Sequence, residues 1–422
     1  MDARAVRLWH LATFVTFAAN GVAFASWVTR TPDIRDALRI DNAAVGLIIL
    51  GLSLGSMLGL SLSGQLIARF GARPIVAIGA SLIGLGVAIV GVGTGLSAIP
   101  VVALGMILTG LGFGLAEVAV NVEGAAIETA MGRSILPGLH GAYSLGALAG
   151  SGLGALAQLA DTSVVVHLVI AGLLSLAAPL CVIRFLPRGT GKEVARSVAT
   201  HSAPHASTNE RSSTRIRDRL SVWTEPRTLM IGTAVLGISF AEGAANDWLP
   251  LGLVDGYGLD PVLASVGFIV FIASMAAGRM FGGPFVDRFG RVMVLRVLSG
   301  IAAMGILLVI FSGSLPIFGG SLVPVALGCA LWGFGISLGF PLGVSAASDD
   351  ARHSSARVSA VATMGYFAFL VGPPILGFLS TQVGLLPSFL LCVALVVIAG
   401  FFSNATRNPR TREPTALYNA SR

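Results

Sequence analysis

Long apolar stretches, each ended by a short polar or glycine-containing segment, follow one another along nearly the whole chain. They lie near 9–29, 43–67, 74–95, 98–126, 135–159, 163–186, 228–254, 261–285, 292–313, 318–347, 357–380 and 386–404. Each is close to the roughly 20 residues that a helix needs to cross a hydrocarbon core. None has the short alternating pattern of a membrane strand, and a spanning segment must satisfy its own backbone polar groups. The pattern therefore predicts an all-α membrane protein with twelve transmembrane helices.

The pattern also repeats. Gly64-Gln-Leu-Ile-Ala-Arg-Phe-Gly71-Ala-Arg73 returns 219 positions later as Gly283-Pro-Phe-Val-Asp-Arg-Phe-Gly290-Arg-Val292. A displacement of 221 to 223 relates Gly112-Phe-Gly114 to Gly333-Phe-Gly335, Trp27 to Trp248, and Tyr143 with Gly154 to Tyr366 with Gly377. Two homologous six-helix bundles, 1–186 and 226–406, are the simplest reading, with a linker at 187–225 and a tail at 407–422. A half-chain repeat in a polytopic protein points to transport by alternating access.

Composition agrees, since 55% of residues are hydrophobic and only 11% charged, with a mean hydropathy of +0.85. Charge sets the orientation. With both termini cytoplasmic, 23 of the 27 basic residues fall inside, Arg30, Arg35 and Arg39 fall outside, and Arg279 lies within a helix. The net charge of +7 thus reflects topology and anionic headgroups, and nucleic acid is not an expected partner. Residues 9–29 are too long for a cleavable leader and are expected to remain as the first helix. The linker's Ser/Thr/His/Arg composition cannot bury a core, so disorder is expected there, with a short surface helix over 215–223 as an option. Cys181, Cys329 and Cys392 lack metal-ligand spacing and are read as packing residues; no metal or cofactor is expected. Gly51, Gly55 and Gly59 share one helix face, as do Gly146, Gly150 and Gly154, which would let backbones approach closely.

The Gly-x-x-x-Asp-Arg-x-Gly-Arg pattern after the second helix of each half, in a twelve-helix chain with a central linker, resembles the major facilitator superfamily over essentially the whole length. In the C-terminal copy Gly283, Asp287, Arg288, Gly290 and Arg291 all fit. In the N-terminal copy Gly64, Arg69, Gly71 and Arg73 fit, while Ala68 stands where the family has an acid. The resemblance implies a cytoplasmic latch in which that acid pairs with basic and helix-terminal groups. Arg279, four residues before Gly283, is expected to anchor it.

Candidate chemistry lies in the polar residues of the spans, because an ionisable group in lipid is costly and normally faces a cavity or a partner. Glu117 and Asn121, at i and i+4 in the fourth helix, project from one face. Their Glu-x-x-x-Asn pattern resembles the proton-coupled fucose permease branch, where the matching acid takes part in coupling. That branch also has an acid before a proline in the first helix; Ser26-Trp-Val-Thr-Arg-Thr-Pro32 has none, whereas the seventh helix carries Glu242, Asn246, Asp247 and Trp248 before Pro250. Glu117, Glu242 and Asp247 are therefore the proton-coupling candidates. Asn20, Trp27, Asn121, Asn246, Trp248 and Tyr366 are the substrate-cavity candidates. Glu123, Glu128, Asp349 and Asp350 are read as interfacial, and His140 as structural.

The leading function is a secondary active transporter of the bacterial inner membrane, moving a small polar solute by proton symport as a monomer. Proton-driven drug or metabolite efflux is the alternative within the class, weakened by Ser151 where antiporters usually have proline. A transport-inactive solute sensor is the alternative from another class. An enzyme is not expected: Gly189-Thr-Gly-Lys192 lacks phosphate-loop spacing, and no nucleophile elbow or metal cluster is present in the sequence.

Overall fold

The computed structural model describes residues 2–132, 135–192, 221–314, 322–349 and 354–407. Among these residues the regular structure is helical throughout. Helix α1 (Ala3–Val28) begins where the Asp2 side chain accepts from the Ala5 N–H. A short helix, α2 (Thr31–Leu38), follows with Pro32 in its first turn and ends at Arg39 in the left-handed region. Asp41 caps α3 (Asn42–Phe70), and Gly71 separates it from α4 (Ala72–Gly95). Then come α5 (Ile99–Met131), α6 (Leu136–Leu159) and α7 (Val164–Val182), capped by Ser163.

The second half runs through α8 (Pro226–Tyr257), α9 (Pro261–Phe281), α10 (Gly283–Phe311), α11 (Val323–Ile336), α12 (Gly339–Ala347), α13 (Ser354–Val383), α14 (Leu385–Ser388) and α15 (Leu390–Phe402). Helices α11 and α12 together make one span broken at Ser337 and Leu338, and α14 with α15 make another. Eleven segments of the described chain are long and apolar enough to cross a membrane. Helix α6, with 24 residues and ~36 Å of length, holds the remaining, fifth place. Leu54, Leu58, Leu104, Leu145, Leu173 and Phe378 are exposed, as expected for helices that meet lipid rather than water. Cys181 is exposed, so unlike the buried Cys329 and Cys392 it is not a packing residue.

The motif repeated in sequence repeats in the backbone. Both copies are helical up to their last glycine, which carries the break: Gly71 has φ 88 and ψ 165, and Gly290 has φ 77 and ψ 156. A side chain is strained at that φ, so glycine is needed at the joint itself rather than along a loop.

The described chain divides into two compact units. The first comprises 1–203 with 245–273 and 370–388; the second comprises 204–244, 274–369 and 389–422. In the first unit, α3 lies against α5, α4 against α5 and α7, and α1 against α6. Glycine makes these approaches possible: a Cβ on Gly55 or Gly59 would strike the α5 backbone, and one on Gly146 or Gly150 the α1 backbone. Trp9, Phe17, Ile75, Leu115, Ile127 and Leu139 form part of its core. In the second unit, Ile231, Val235, Ala346 and Val361 form a smaller cluster.

Candidate functional site

The first unit places its polar groups at two ends and on one helix face. The outer end, so called because basic residues crowd the other, is tied together by a network. Buried Arg30 donates to His167 Nδ1 (3.2 Å), Asp33 Oδ2 (3.1 Å) and the Thr162 carbonyl (2.9 Å). Gln158 Nε2 donates to the Thr29 carbonyl (3.0 Å), and its Oε1 accepts from Ser265 Oγ (2.9 Å), which joins α6 to α9. Arg35 of α2 donates to Asp255 Oδ2 of α8 at 2.5 Å and to Asn42 Oδ1 at 3.3 Å. Burial alone would lower the Arg35 pKa, but the hydrogen bonds and charges of Asp255 and Asp36 outweigh it and hold the guanidinium above its ordinary value. Backbone seals the same end: a Cβ on Gly46 would lie 2.6 Å from the Pro373 carbonyl, and one on Gly377 the same distance from that of Asn42. This outer gate was not legible in the sequence, whose one hint was three arginines on the side where few are expected.

Helix α5 carries the expected pair on one face. Asn121 Nδ2 donates to the Glu117 carbonyl (2.8 Å) and to Glu117 Oε1 (3.0 Å). Leu111 and Leu115 face α3, Gly112 and Ala116 face α4, and at 3.6 residues per turn Glu117 sits roughly a third of a turn from both. It is exposed, and no cation pairs with it among the described residues. One turn earlier, Phe113 meets Phe24 (6.2 Å between ring centroids), which also contacts Tyr143 (6.4 Å) and Trp27 (5.8 Å). Phe24, Phe113 and Tyr143 are half-buried. Phe24 and Phe113 are additions to the sequence-derived set; a ring within an apolar run carries no signal of the face it takes.

Several expectations change. Trp27 and Trp248 are 1% and 0% exposed with unpartnered indole nitrogens, so they pack within the closed outer end instead of lining an open cavity. Asn20 is buried, Asn246 half-buried. Asp247 is buried at 8% exposure and makes no hydrogen bond or ion pair among the described residues. In the second unit, Arg279 donates to Glu242 Oε1 at 2.7 Å and to the Ser337 carbonyl at 3.2 Å. It is thus the counter-charge of Glu242, not an anchor of the latch, because its side chain turns toward α8 and α11. Tyr366 lies 6.2 Å from the Phe340 ring and is half open.

The acids near the latch also change. Glu123 is not interfacial: it is fully buried, and Trp9 Nε1 donates to its Oε2 at 2.8 Å. Thr190 lies beside it and the Arg73 charge acts on it. Arg73 also donates to the Leu186 carbonyl (3.3 Å), while Arg69 lies over the Phe70 ring. Glu128 accepts from the N–H groups of Ile135 and Leu136, closing the turn into α6. In the C-terminal copy Asp287 is exposed and unpaired among the described residues, and Arg288 lies over Phe289. Asp349 instead collects the charges, accepting from Arg291 at 2.8 Å and 3.0 Å and from Arg227 at 3.0 Å with its side chain 6% exposed. Arg357 meets both oxygens of Glu225 at 2.6 Å and 3.1 Å, tying α13 to the start of α8. Gly64 and Gly283 have open space where a Cβ would stand, so neither is held by close packing. Asp350, most of the linker including 215–220, and 408–422 lie outside the described residues.

Comparison with known proteins accords with this architecture. The family model described as Major Facilitator Superfamily matches residues 9–368. An uncharacterized MFS-type transporter of Yersinia pestis is 28% identical over 393 residues, spanning 92% of this chain and 93% of that protein. Membrane protein MosC of Rhizobium meliloti is 27% identical over 408 residues, spanning 94% and 90%. Among solved structures, the nucleoside transporter NupG has a TM-score of 0.71 at 14% identity, with 96% and 99% of the two chains covered. A D-xylose-proton symporter has a TM-score of 0.69 at 17% identity, with 96% and 97% covered. At such identities these structures establish the fold alone. The match of the family model over most of the chain, on a helical membrane fold with a backbone-level repeat, shows that the chain belongs to the Major Facilitator Superfamily of transporters.

Proposed function

We propose that this transporter is a proton symporter for a small polar solute, acting as a multi-pass monomer of a bacterial inner membrane with both termini cytoplasmic. The observation that carries the reading is Glu117. It lies ~27 Å along α5 from Ile99 at ~1.5 Å per residue, within a 33-residue helix. It is open on its face and bonded to an amide rather than to a cation. An intramembrane acid of that kind is the better candidate for a coupling site, whereas Glu242 is already paired with Arg279. Phe24, Phe113 and Tyr143 next to it offer apolar ring faces, and Asn121 offers an amide. That combination suits a solute with a hydroxylated edge and an apolar face, such as a sugar or a nucleoside. Asp247 is a second protonatable candidate, since no cation offsets its burial among the described residues.

The test is uptake into liposomes holding purified protein, with and without an imposed inward proton gradient, over a panel of sugars, nucleosides and amino acids. Wild type should accumulate one class only with the gradient. Glu117→Gln should lose gradient-driven accumulation yet retain counterflow, because the amide imitates the protonated acid. Normal accumulation by Glu117→Gln removes the acid from coupling, and solute-driven proton movement of the opposite sign makes the protein an efflux antiporter.

A further inference from the structure

Behind the N-terminal latch, on the side of α4 that faces α7, a cavity of about 480 Å³ is lined by Phe70, Arg73, Pro74, Ala77, Ile183, Arg188, Gly189 and Lys192. Its size falls in the ~300–1,000 Å³ range of small-ligand sites. The walls are of two kinds: apolar surface from Phe70, Pro74 and Ile183, and three cations. Arg73 shares its charge with buried Glu123. Arg188 and Lys192 have no hydrogen-bonded or ion-paired side-chain partner among the described residues.

The backbone that carries two of these cations is held in place. Gly189 and Gly191 take φ values of 91 and 85, which turn the chain back onto the bundle. The Thr190 carbonyl accepts from the Ala72 N–H at 2.9 Å. A Cβ on Gly71 would lie 3.1 Å from Gly189 Cα, and one on Gly191 would lie 2.7 Å from Ile67 Cγ2. The first residues of a linker expected to be a loose tether are therefore part of the folded unit, and they carry two uncompensated charges into a cavity. The cavity lies where α4 begins and α7 ends, at the ends of two segments long and apolar enough to span a membrane. Phe70, Ile78 and Leu180 are exposed apolar groups of α3, α4 and α7.

We propose that this cavity binds a phosphate group, the phosphodiester of an anionic glycerophospholipid, with Arg73, Arg188 and Lys192 as its counter-charges and the exposed apolar residues beside the acyl chains. Basic pockets at the cytoplasmic ends of spanning helices are suited to anionic headgroups. Two of the three cations belong to the linker, so an occupied site fastens the start of the linker to the latch joint at Gly71 and Ala72. The inference does not depend on the solute or on proton coupling.

The experiment uses the full-length purified protein and native mass spectrometry of retained lipid, with phosphatidylglycerol and phosphatidylcholine offered together. Wild type should retain phosphatidylglycerol preferentially. Arg188→Gln with Lys192→Gln should weaken that retention about thirtyfold, the product of two charges each contributing a factor of about five. Arg4→Gln with Arg7→Gln, exposed charges near the same end, should leave it unchanged. A parallel arm titrates inorganic phosphate against thermal unfolding in detergent free of lipid. Stabilisation lost in the Arg188/Lys192 variant upholds the phosphate site and makes a soluble phosphate ester its source. If retention and stabilisation are the same in wild type and the Arg188/Lys192 variant, or if the Arg4/Arg7 variant loses as much, the cavity is not a site and the proposal fails.

Discussion

Replacing Arg35 by Gln perturbs the outer gate at the one charged link between the sequence halves among the described residues. The guanidinium gives Asp255 a hydrogen bond of 2.5 Å and reaches Asn42 at 3.3 Å. A hydrogen bond to a charged group contributes about 1.5–3 kcal/mol net. The side chains are 16% and 28% exposed, so water screens part of this, and about 1–1.5 kcal/mol is the reasonable contribution. If opening of the outer end breaks this bond, its loss should move the closed-to-open ratio by the same amount, roughly five- to twelvefold. Lysine at 35 should recover part of the effect, because it keeps the charge but not the fork.

Spin labels at Leu96→Cys and Gln382→Cys report this directly. Both positions are exposed at the outer end, one after α4 and one near the end of α13, and the native cysteines can be replaced by serine. Pulsed-dipolar distance measurements should give a short-distance population for the closed end in wild type and a longer-distance component in Arg35→Gln, with Asp255→Asn giving a similar one. Reversing the pair, Arg35→Asp with Asp255→Arg, should restore the short distance. Unchanged distributions in both single variants would refute the argument, as would a reversed pair that behaves like the worse single variant.

Two further predictions concern the opposite end. Asp349→Asn should lower the melting temperature of purified protein more than Asp287→Asn, because Asp349 is the acid that Arg291 and Arg227 share, whereas Asp287 is exposed; equal shifts would return the latch role to Asp287. Trp9→Phe removes the indole donor from buried Glu123 and should cost about 1–3 kcal/mol, with much of it recovered when Glu123→Gln removes the charge as well; an unchanged melting temperature in Trp9→Phe would mean that Glu123 is satisfied elsewhere.

What the sequence made legible was what local pattern controls. Spanning helices follow from long apolar runs, and the latch joints follow from glycines at matching places in a repeat, which proved to be matching backbone breaks at Gly71 and Gly290. Glu117 and Asn121 share a face because i and i+4 always do. Depth along a helix could also be counted, but depth does not say which neighbour a side chain meets. Glu123 was placed near the surface by counting, and a tryptophan 114 positions away buried it. Arg35 and Asp255 are 220 positions apart, and no spacing rule connects them. Arg279 lies four residues from a latch glycine yet serves Glu242, because helix rotation and not sequence distance chose its partner.

The energetic scale of the outer gate also bears on how transport can be driven. Among the described residues it comprises, across the sequence halves, one partly exposed ion pair, one neutral hydrogen bond between Gln158 and Ser265, and close backbone contacts of Gly46 and Gly377. At about 1–1.5 kcal/mol for the first and about 1 kcal/mol for the second, the polar links contribute only a few kcal/mol to closure. A free-energy difference of that size lies within what a solute of ordinary affinity for the open form can offset. By contrast, the links of Asp349 to Arg227 and Arg291 and of Glu123 to Trp9 each stay within one half of the sequence, and Arg357 reaches only to Glu225, the residue before the second half begins. Rearranging the halves need not break them. What separates the two sets is connectivity and not burial: Arg357 with Glu225 is as exposed as Arg35 with Asp255, but among the described residues the gate's links are the ones that join the two sequence halves, so they are the ones a rearrangement of the halves must break.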